Sequence, residues 1–276
     1  MKIPGGLVSV ALYPADRIRL LAWHVQAYAQ LGGRALAGLV TKPFYARDTI
    51  VQLDSIGVGS IGIVVLTGLF TGMVLALQSA VEMERFGATI YIGRLVAAST
   101  VRELGPVLTA LMVSGRAGSG IAAELGAMRV TEQIDALQTM GVDPVRKLVI
   151  PRFVACLIAL PLLTIVTDIV AILGGLLISV AKLGLTPELY MRSVYEALAH
   201  NGYLLTYIPV DFVMGLVKPL VFGAIIALTA CHFGMRTEGG TEGVGRAATD
   251  SVVVSSILIL ATDYFLTQIL IVLLIE

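Results

Sequence analysis

Residues 56–77, IGVGSIGIVVLTGLFTGMVLAL, contain no acid, no base and no amide side chain. A helix needs about 20 such residues to cross the roughly 30 Å hydrocarbon core of a bilayer. The stretch therefore reads as a transmembrane helix, and the rest of the chain agrees. Of the 276 residues, 57% are hydrophobic and 14% charged, and the mean hydropathy is +0.90. That is more apolar surface than a water-soluble domain of this size can bury. Within the stretch, Gly68-x-x-x-Gly72 lets a second helix approach closely. Packing inside one subunit is the plainer use of that motif, and a subunit interface is the sharper one.

Working outward, the spans are predicted at 56–80, 90–114, 148–180, 203–232 and 251–275. The second carries Arg94, Arg102 and Glu103 and is interrupted by Gly105-Pro106; the third holds Asp168. The fourth contains Pro209, Asp211, Lys218 and Pro219, and the fifth has Asp263 at its centre. Ahead of the spans, residues 16–41 put Ile18, Leu21, Val25, Tyr28, Gly32, Leu36 and Leu39 on one face and Arg17, Arg19, Gln26, Gln30 and Arg34 on the other. With Trp23 among them, this predicts an amphipathic helix in the membrane interface, the alternative being an ordinary helix packed on the bundle. Met1 to Pro14 lacks the pattern of a cleaved signal and is expected to be retained. The fold class is thus an all-α polytopic membrane protein, one transmembrane domain over 1–276.

An odd number of spans places the termini on opposite sides. A cytoplasmic N-terminus gathers thirteen of the 19 basic residues inside, leaves Arg85, Arg94, Lys182 and Arg192 outside, and keeps Arg102 and Lys218 within spans. That bias predicts N-in, C-out. Between the third and fourth spans, Thr186, Pro187 and Glu188 signal a helix start and Asn201-Gly202 a stop, so a short periplasmic helix is expected over 186–201. On the inner side, the polar stretch Gly115 to Arg152 contains ELGAMRVTEQIDALQTMGVDP, residues 124–144. Here Val130, Ile134 and Leu137 fall at i, i+4 and i+7 among acidic and amide residues, ahead of Gly141 and Pro144. A short helix of that kind, within the cytoplasmic region 121–144, suits docking into a partner's groove, or covers the inner ends of the spans.

Motifs for chemistry are missing from the sequence. No G-x-x-x-x-G-K-[ST] phosphate loop occurs, and Gly239, Gly240, Gly243 and Gly245 lack the lysine such a loop needs. His24, His200 and His232 have no metal-ligand spacing, and neither Ser60 nor Ser114 sits in a nucleophile elbow. Cys156 and Cys231 lie in apolar runs and read as small packing residues. Balanced charge, 19 basic against 19 acidic residues, gives no sign of nucleic-acid binding. Neither an enzyme nor a resident cofactor is expected.

Ionisable residues at membrane depth are costly and carry a functional expectation. Arg102 and Glu103 point about 100° apart on a helix, so they need not pair with each other. Lys218 and Asp263 fall at similar depth if their spans are antiparallel neighbours, and an ion pair would offset their burial. Direct contact with a substrate is the other reading. Asp168 and Asp211 are taken to lie near span ends, where snorkelling explains them.

The stretches 66–78 (LTGLFTGMVLALQ), 102–116 (RELGPVLTALMVSGR) and 117–144, with Pro151-Arg152-Phe153 and the late Asp263, closely resemble the MlaE/YrbE-type permeases over roughly Leu53 to Leu270. These are membrane subunits of bacterial ABC systems for phospholipids or related lipids. The resemblance implies a homodimer in the inner membrane and a separate cytoplasmic ABC ATPase subunit that binds the ATP. It also implies a periplasmic MCE-domain protein and a small accessory cytoplasmic subunit. Carried over by position, Leu75, Leu77, Gln78, Phe86, Arg102 and Leu104 would line the lipid path, with Arg102 at the phosphate. Glu124, Arg129, Glu132, Asp135, Met140 and Asp143 would couple to the ATPase, and Glu103, Lys218 and Asp263 match buried charged positions. The alternative from another class is an ion-coupled secondary transporter relaying ions through Lys218, Asp263 and Arg102, but no internal repeat supports it. A passive scaffold for an outer-face complex would not need charges in its spans.

Overall fold

The computed structural model describes residues 26–38, 45–199, 203–204 and 208–274. Trp23, Arg17 and Arg19 of the N-terminal amphipathic segment lie outside these residues. Five helical stretches are long and apolar enough to cross a membrane: Ala46–Glu84, Thr89–Val130, Val145–Leu183, Val210–Gly234 and Gly240–Leu273.

The first stretch comprises α2 (Ala46–Ile56), a 3-10 turn and α3 (Ile61–Glu84). Every fourth residue of α3 from Val64 onward is small and buried: Val64, Gly68, Gly72, Ala76 and Ala80. This seam packs on α8 (Ile150–Leu183) backbone to backbone. A Cβ on Gly72 would fall on the Ala171 main chain, one on Gly68 would meet Thr167, and one on Gly174 of α8 would strike the Leu69 carbonyl. Within this chain, then, the Gly68/Gly72 motif is used for packing between its own helices. The opposite face of α3, with Leu66, Phe70, Val74 and Leu77, is exposed, as a lipid-facing surface should be.

The second stretch differs from the sequence reading. It runs through a 3-10 turn, α4 (Ile92–Ser99), α5 (Gly105–Val113) and α6 (Ser119–Val130), with π-helical turns at Thr100–Leu104 and Ser114–Gly118. Gly105-Pro106 does not break it, and it continues unbroken past the predicted span end at 114 to Val130, into the region read as a separate cytoplasmic helix. The polar residues stay helical because neighbouring elements satisfy them. Arg116 donates to the Ser55 carbonyl at 3.0 Å and to Ser60 Oγ at 3.1 Å, and Glu124 pairs with buried Arg152 at 2.8 Å. The glycines admit close neighbours, Gly118 facing Ile226 and Gly126 facing Thr237.

The chain then turns at Glu132, whose φ of 60° makes it the one non-glycine in left-handed conformation among the described residues, and forms α7 (Gln133–Thr139). This turn splits the apolar stripe expected either to dock into a partner or to cover the inner ends of the spans. Val130 stays exposed on α6, while Ile134 is buried and Leu137 packs against the main core. The stripe covers the bundle's own end.

Beyond a π-helical turn at Val145–Val149, α8 ends at Gly184, whose φ of 64° supplies the left-handed cap. α9 (Pro187–Ala199) follows. Two two-residue strands, β1 (Tyr203–Leu204) and β2 (Ile208–Pro209), pair antiparallel before α10 (Val210–Gly234). The fourth helix therefore starts later than predicted, because Pro209 is extended at φ −58°, ψ 136°. α11 (Gly240–Leu274) completes the all-α fold. The helix at 26–38, α1, lies against α10, with Tyr28 Oη 3.1 Å from Thr229 Oγ1, Ala35 buried, and Arg34 paired with Asp143 at 3.1 Å. On this face it is a packed helix.

The expectation that Asp168 and Asp211 sit near span ends and snorkel is corrected: Asp168 is not near an end, and both residues are buried. Asp168 is 8% exposed in the middle of α8, its Oδ1 against Gly105, and Asp211 is fully buried at the start of α10. Both are enclosed because glycine and π-helical turns let the helices come close.

Candidate functional site

Pro106 has no N–H, so the carbonyl of Arg102, four residues earlier, loses the partner a regular helix would supply. α10 approaches this point through Gly215, where a Cβ would come within 2.6 Å of the Val101 carbonyl. One turn later on α10, Lys218 is fully buried, and its ammonium donates to the freed Arg102 carbonyl at 2.9 Å and to Glu103 Oε2 at 2.5 Å. Asp263 Oδ1 of α11 lies 3.0 Å from the same nitrogen in an ion pair. An ammonium has three protons and no acceptor, and here three oxygens surround it.

Thr267, one turn from Asp263, donates to its carbonyl at 2.9 Å and reaches Glu103 Oε1 at 3.2 Å. The side chains of Glu103 and Asp263 are 41% and 18% exposed, so the cluster opens on one side. It joins spans two, four and five at one depth. The predicted Lys218–Asp263 pair is present, and Glu103 is the member whose partner sequence spacing could not supply.

Arg102 pairs with buried Asp211 at 2.7 Å. Arg102 therefore serves a structural ion pair within the chain, whatever else it contacts. Arg102→Ala is expected to lower the thermal midpoint of the purified protein, and Arg102→Ala with Asp211→Asn to recover most of the loss, because the double change leaves no lone buried charge. Equal midpoints for the two variants would refute a structural pair. Sequence reasoning named Asp211 but gave it no partner, and missed Thr267 and Gly215. The usable signals were Pro106 and its freed carbonyl, and the i, i+4 placement of Asp263 and Thr267.

The predicted lipid-path residues divide. Leu75 and Gln78 share a groove of about 300 Å³ on the outer face of α3 with Phe70, Thr71 and Val74. Leu77 and Phe86 are exposed, and Leu104 is half-buried in the π-helical turn. Arg102 lines a different cavity, of about 380 Å³, with Met83, Tyr91, Arg94, Leu95, Ala98 and Ala197.

The predicted coupling residues divide as well. Glu124 holds Arg152, Arg129 pairs with Asp135, and Asp143 holds Arg34 while accepting from the Val145 N–H at 3.0 Å. Glu132 and Met140 are exposed, Met140 to 68%. Among the described residues no group of three or more histidine, cysteine or carboxylate side chains could hold a metal ion.

A bundle with five helical stretches able to span a membrane, an ion cluster shared by three of them and a groove on an exposed helix face defines a polytopic membrane protein. The family model described as Permease MlaE matches residues 49–269, and this chain belongs to that family. It is 41% identical over 262 residues to a "Probable ABC transporter permease protein" of Rickettsia felis, covering 95% of this chain and 98% of that protein. It is 36% identical over 248 residues, 89% and 92% of the two chains, to the "Intermembrane phospholipid transport system permease protein MlaE" of Haemophilus influenzae. A chloroplast relative, "Protein TRIGALACTOSYLDIACYLGLYCEROL 1" of Arabidopsis thaliana, is 36% identical over 246 residues, 89% of this chain and 68% of that one.

Proposed function

We propose that this chain is the membrane subunit of an ABC transporter that moves phospholipid, or a related lipid, between the bacterial inner membrane and a periplasmic MCE-domain protein. It works as a homodimer, N-terminus inside and C-terminus outside, and a separate ATPase subunit binds and hydrolyses the ATP. The observation that carries this reading is the groove on α3. Phe70, Val74 and Leu75 give it apolar walls for an acyl chain, and Gln78 gives it a polar end. The permease family and the phospholipid-transport relative support the same substrate class.

Coupling falls to the turn after α6. Since Asp135 is tied to Arg129, Ile134 is buried and Leu137 packs against the core, Glu132 and Met140 are the predicted coupling residues that stay exposed, and the ATPase is expected to meet them. Glu132→Lys with Met140→Asp is expected to leave membrane insertion and thermal stability unchanged while abolishing co-purification of the ATPase and lipid-stimulated ATP hydrolysis. If both persist at wild-type levels, coupling runs through another surface. The lipid groove is tested by Leu75→Trp, whose larger ring should occupy it and reduce co-purified phospholipid several-fold, with the oligomer unchanged on size exclusion.

A further inference from the structure

The cavity at the end of the bundle near α9 has a charge that the proposed pathway leaves unused. Its walls are Met83, Tyr91, Leu95, Ala98 and Ala197, and two arginines, Arg94 and Arg102, reach it. Their situations differ. Arg102 is answered by Asp211 at 2.7 Å. The backbone N–H of Arg94 is fixed by Ser193 Oγ of α9 at 3.1 Å, and among the described residues its guanidinium has no ion-pair or hydrogen-bond partner.

Among the described residues no acid lines the cavity. Glu196, beside the lining residue Ala197, is taken by Arg192 at 3.1 Å, and Glu82 and Glu84 flank Met83 in sequence without reaching the walls. The space therefore holds one uncompensated positive charge. Its position is firm, because Gly93 brings α4 to within 2.7 Å, for an added Cβ, of the Tyr190 carbonyl.

A planar guanidinium with free donors binds a phosphate through two hydrogen bonds. A volume of about 380 Å³ lies within the range of small-ligand sites, and methionine, leucine and tyrosine walls accept the start of an acyl chain. We infer that Arg94 makes this cavity a headgroup site selective for phospholipids of net negative charge over zwitterionic ones. A zwitterionic headgroup brings its own cation into a space that already holds Arg94, with no acid in the walls to receive it, whereas a net anion meets only its opposite. The inference rests on the phospholipid reading above and adds the charge class of the substrate.

The test uses the full chain, purified in detergent and exchanged against equimolar phosphatidylglycerol and phosphatidylcholine, with retained lipid quantified by mass spectrometry. Wild type is expected to retain phosphatidylglycerol about tenfold or more over phosphatidylcholine, the scale of one charge-assisted hydrogen bond. Arg94→Gln should retain both about equally at unchanged oligomer size, and Arg94→Lys, which keeps the charge, should restore part of the preference. Millimolar inorganic phosphate should not displace phosphatidylglycerol, since it makes no contact with the apolar walls.

Equal retention by wild type, an undiminished preference in Arg94→Gln, or no restoration by Arg94→Lys would overturn the inference. Displacement by inorganic phosphate from wild type but not from Arg94→Gln would assign the site to free phosphate and overturn the lipid assignment. Retention of neither lipid by any variant would overturn the phospholipid reading as well, which separates the two failures.

Discussion

Lys218→Met is expected to destabilise the purified protein, by less than the roughly 3–5 kcal/mol that follows removal of one partner from a fully buried pair, because Glu103 and Asp263 stay partly solvated. Among the described residues the ammonium is the only cation between Glu103 and Asp263, and it also answers the carbonyl that Pro106 frees. Without it two carboxylates face each other at membrane depth. Adding Glu103→Gln and Asp263→Asn to Lys218→Met should restore much of the loss, since a neutral cluster of similar volume carries no lone charge. Thermal unfolding in detergent of the single and triple variants measures this. Losses that simply add would mean that the three side chains act separately, and would favour a relay or a direct substrate contact over a structural tie between spans.

The second large effect is expected from one methyl group. Gly72→Ala puts a Cβ where the Ala171 main chain lies, and backbone cannot rotate aside as a side chain does. Overpacking of this kind destabilises by about 1–3 kcal/mol and sometimes more. Gly62→Ala is the internal control, because nothing lies within 4 Å of its added carbon. Comparing the midpoints of the two variants isolates the contact from the general effect of replacing glycine in a helix. If both variants match wild type, the α3–α8 seam is looser than described.

Hydropathy made the five spans legible, because a bilayer-crossing helix announces itself by composition. It failed where polar residues stay helical by finding partners on distant segments. Arg116 on Ser55 and Ser60, and Glu124 on Arg152, carry the second helical stretch through residues that read locally as a loop. The Val130/Ile134/Leu137 periodicity was real, but the left-handed turn at Glu132 broke it into two faces, a backbone choice that a glutamate gives no reason to expect.

In the candidate site, Lys218 and Asp263 could be paired from depth alone. The link from Lys218 to Glu103 depends on the π-helical turn at Thr100–Leu104 and on the close approach at Gly215, neither of which has a period to read. Arg102 was placed at a phosphate by the resemblance alone; its pairing with Asp211 at 2.7 Å had no signal in the sequence, because Asp211 read as a residue near a span end that snorkels. The resemblance supplied the family and the substrate class; the arrangement of charges came only from the packing.

The central claim is that this chain is a lipid permease driven by another subunit. Its most direct test is to purify the full chain from its membrane with whatever accompanies it, and to identify both protein subunits and bound lipid by native mass spectrometry. The account predicts two copies of this chain, an ATPase subunit with its own phosphate-loop motif, and retained phospholipid that is released or exchanged when ATP is added. Recovery of this chain with no ATPase partner and no bound phospholipid, in a preparation that remains folded, would contradict it.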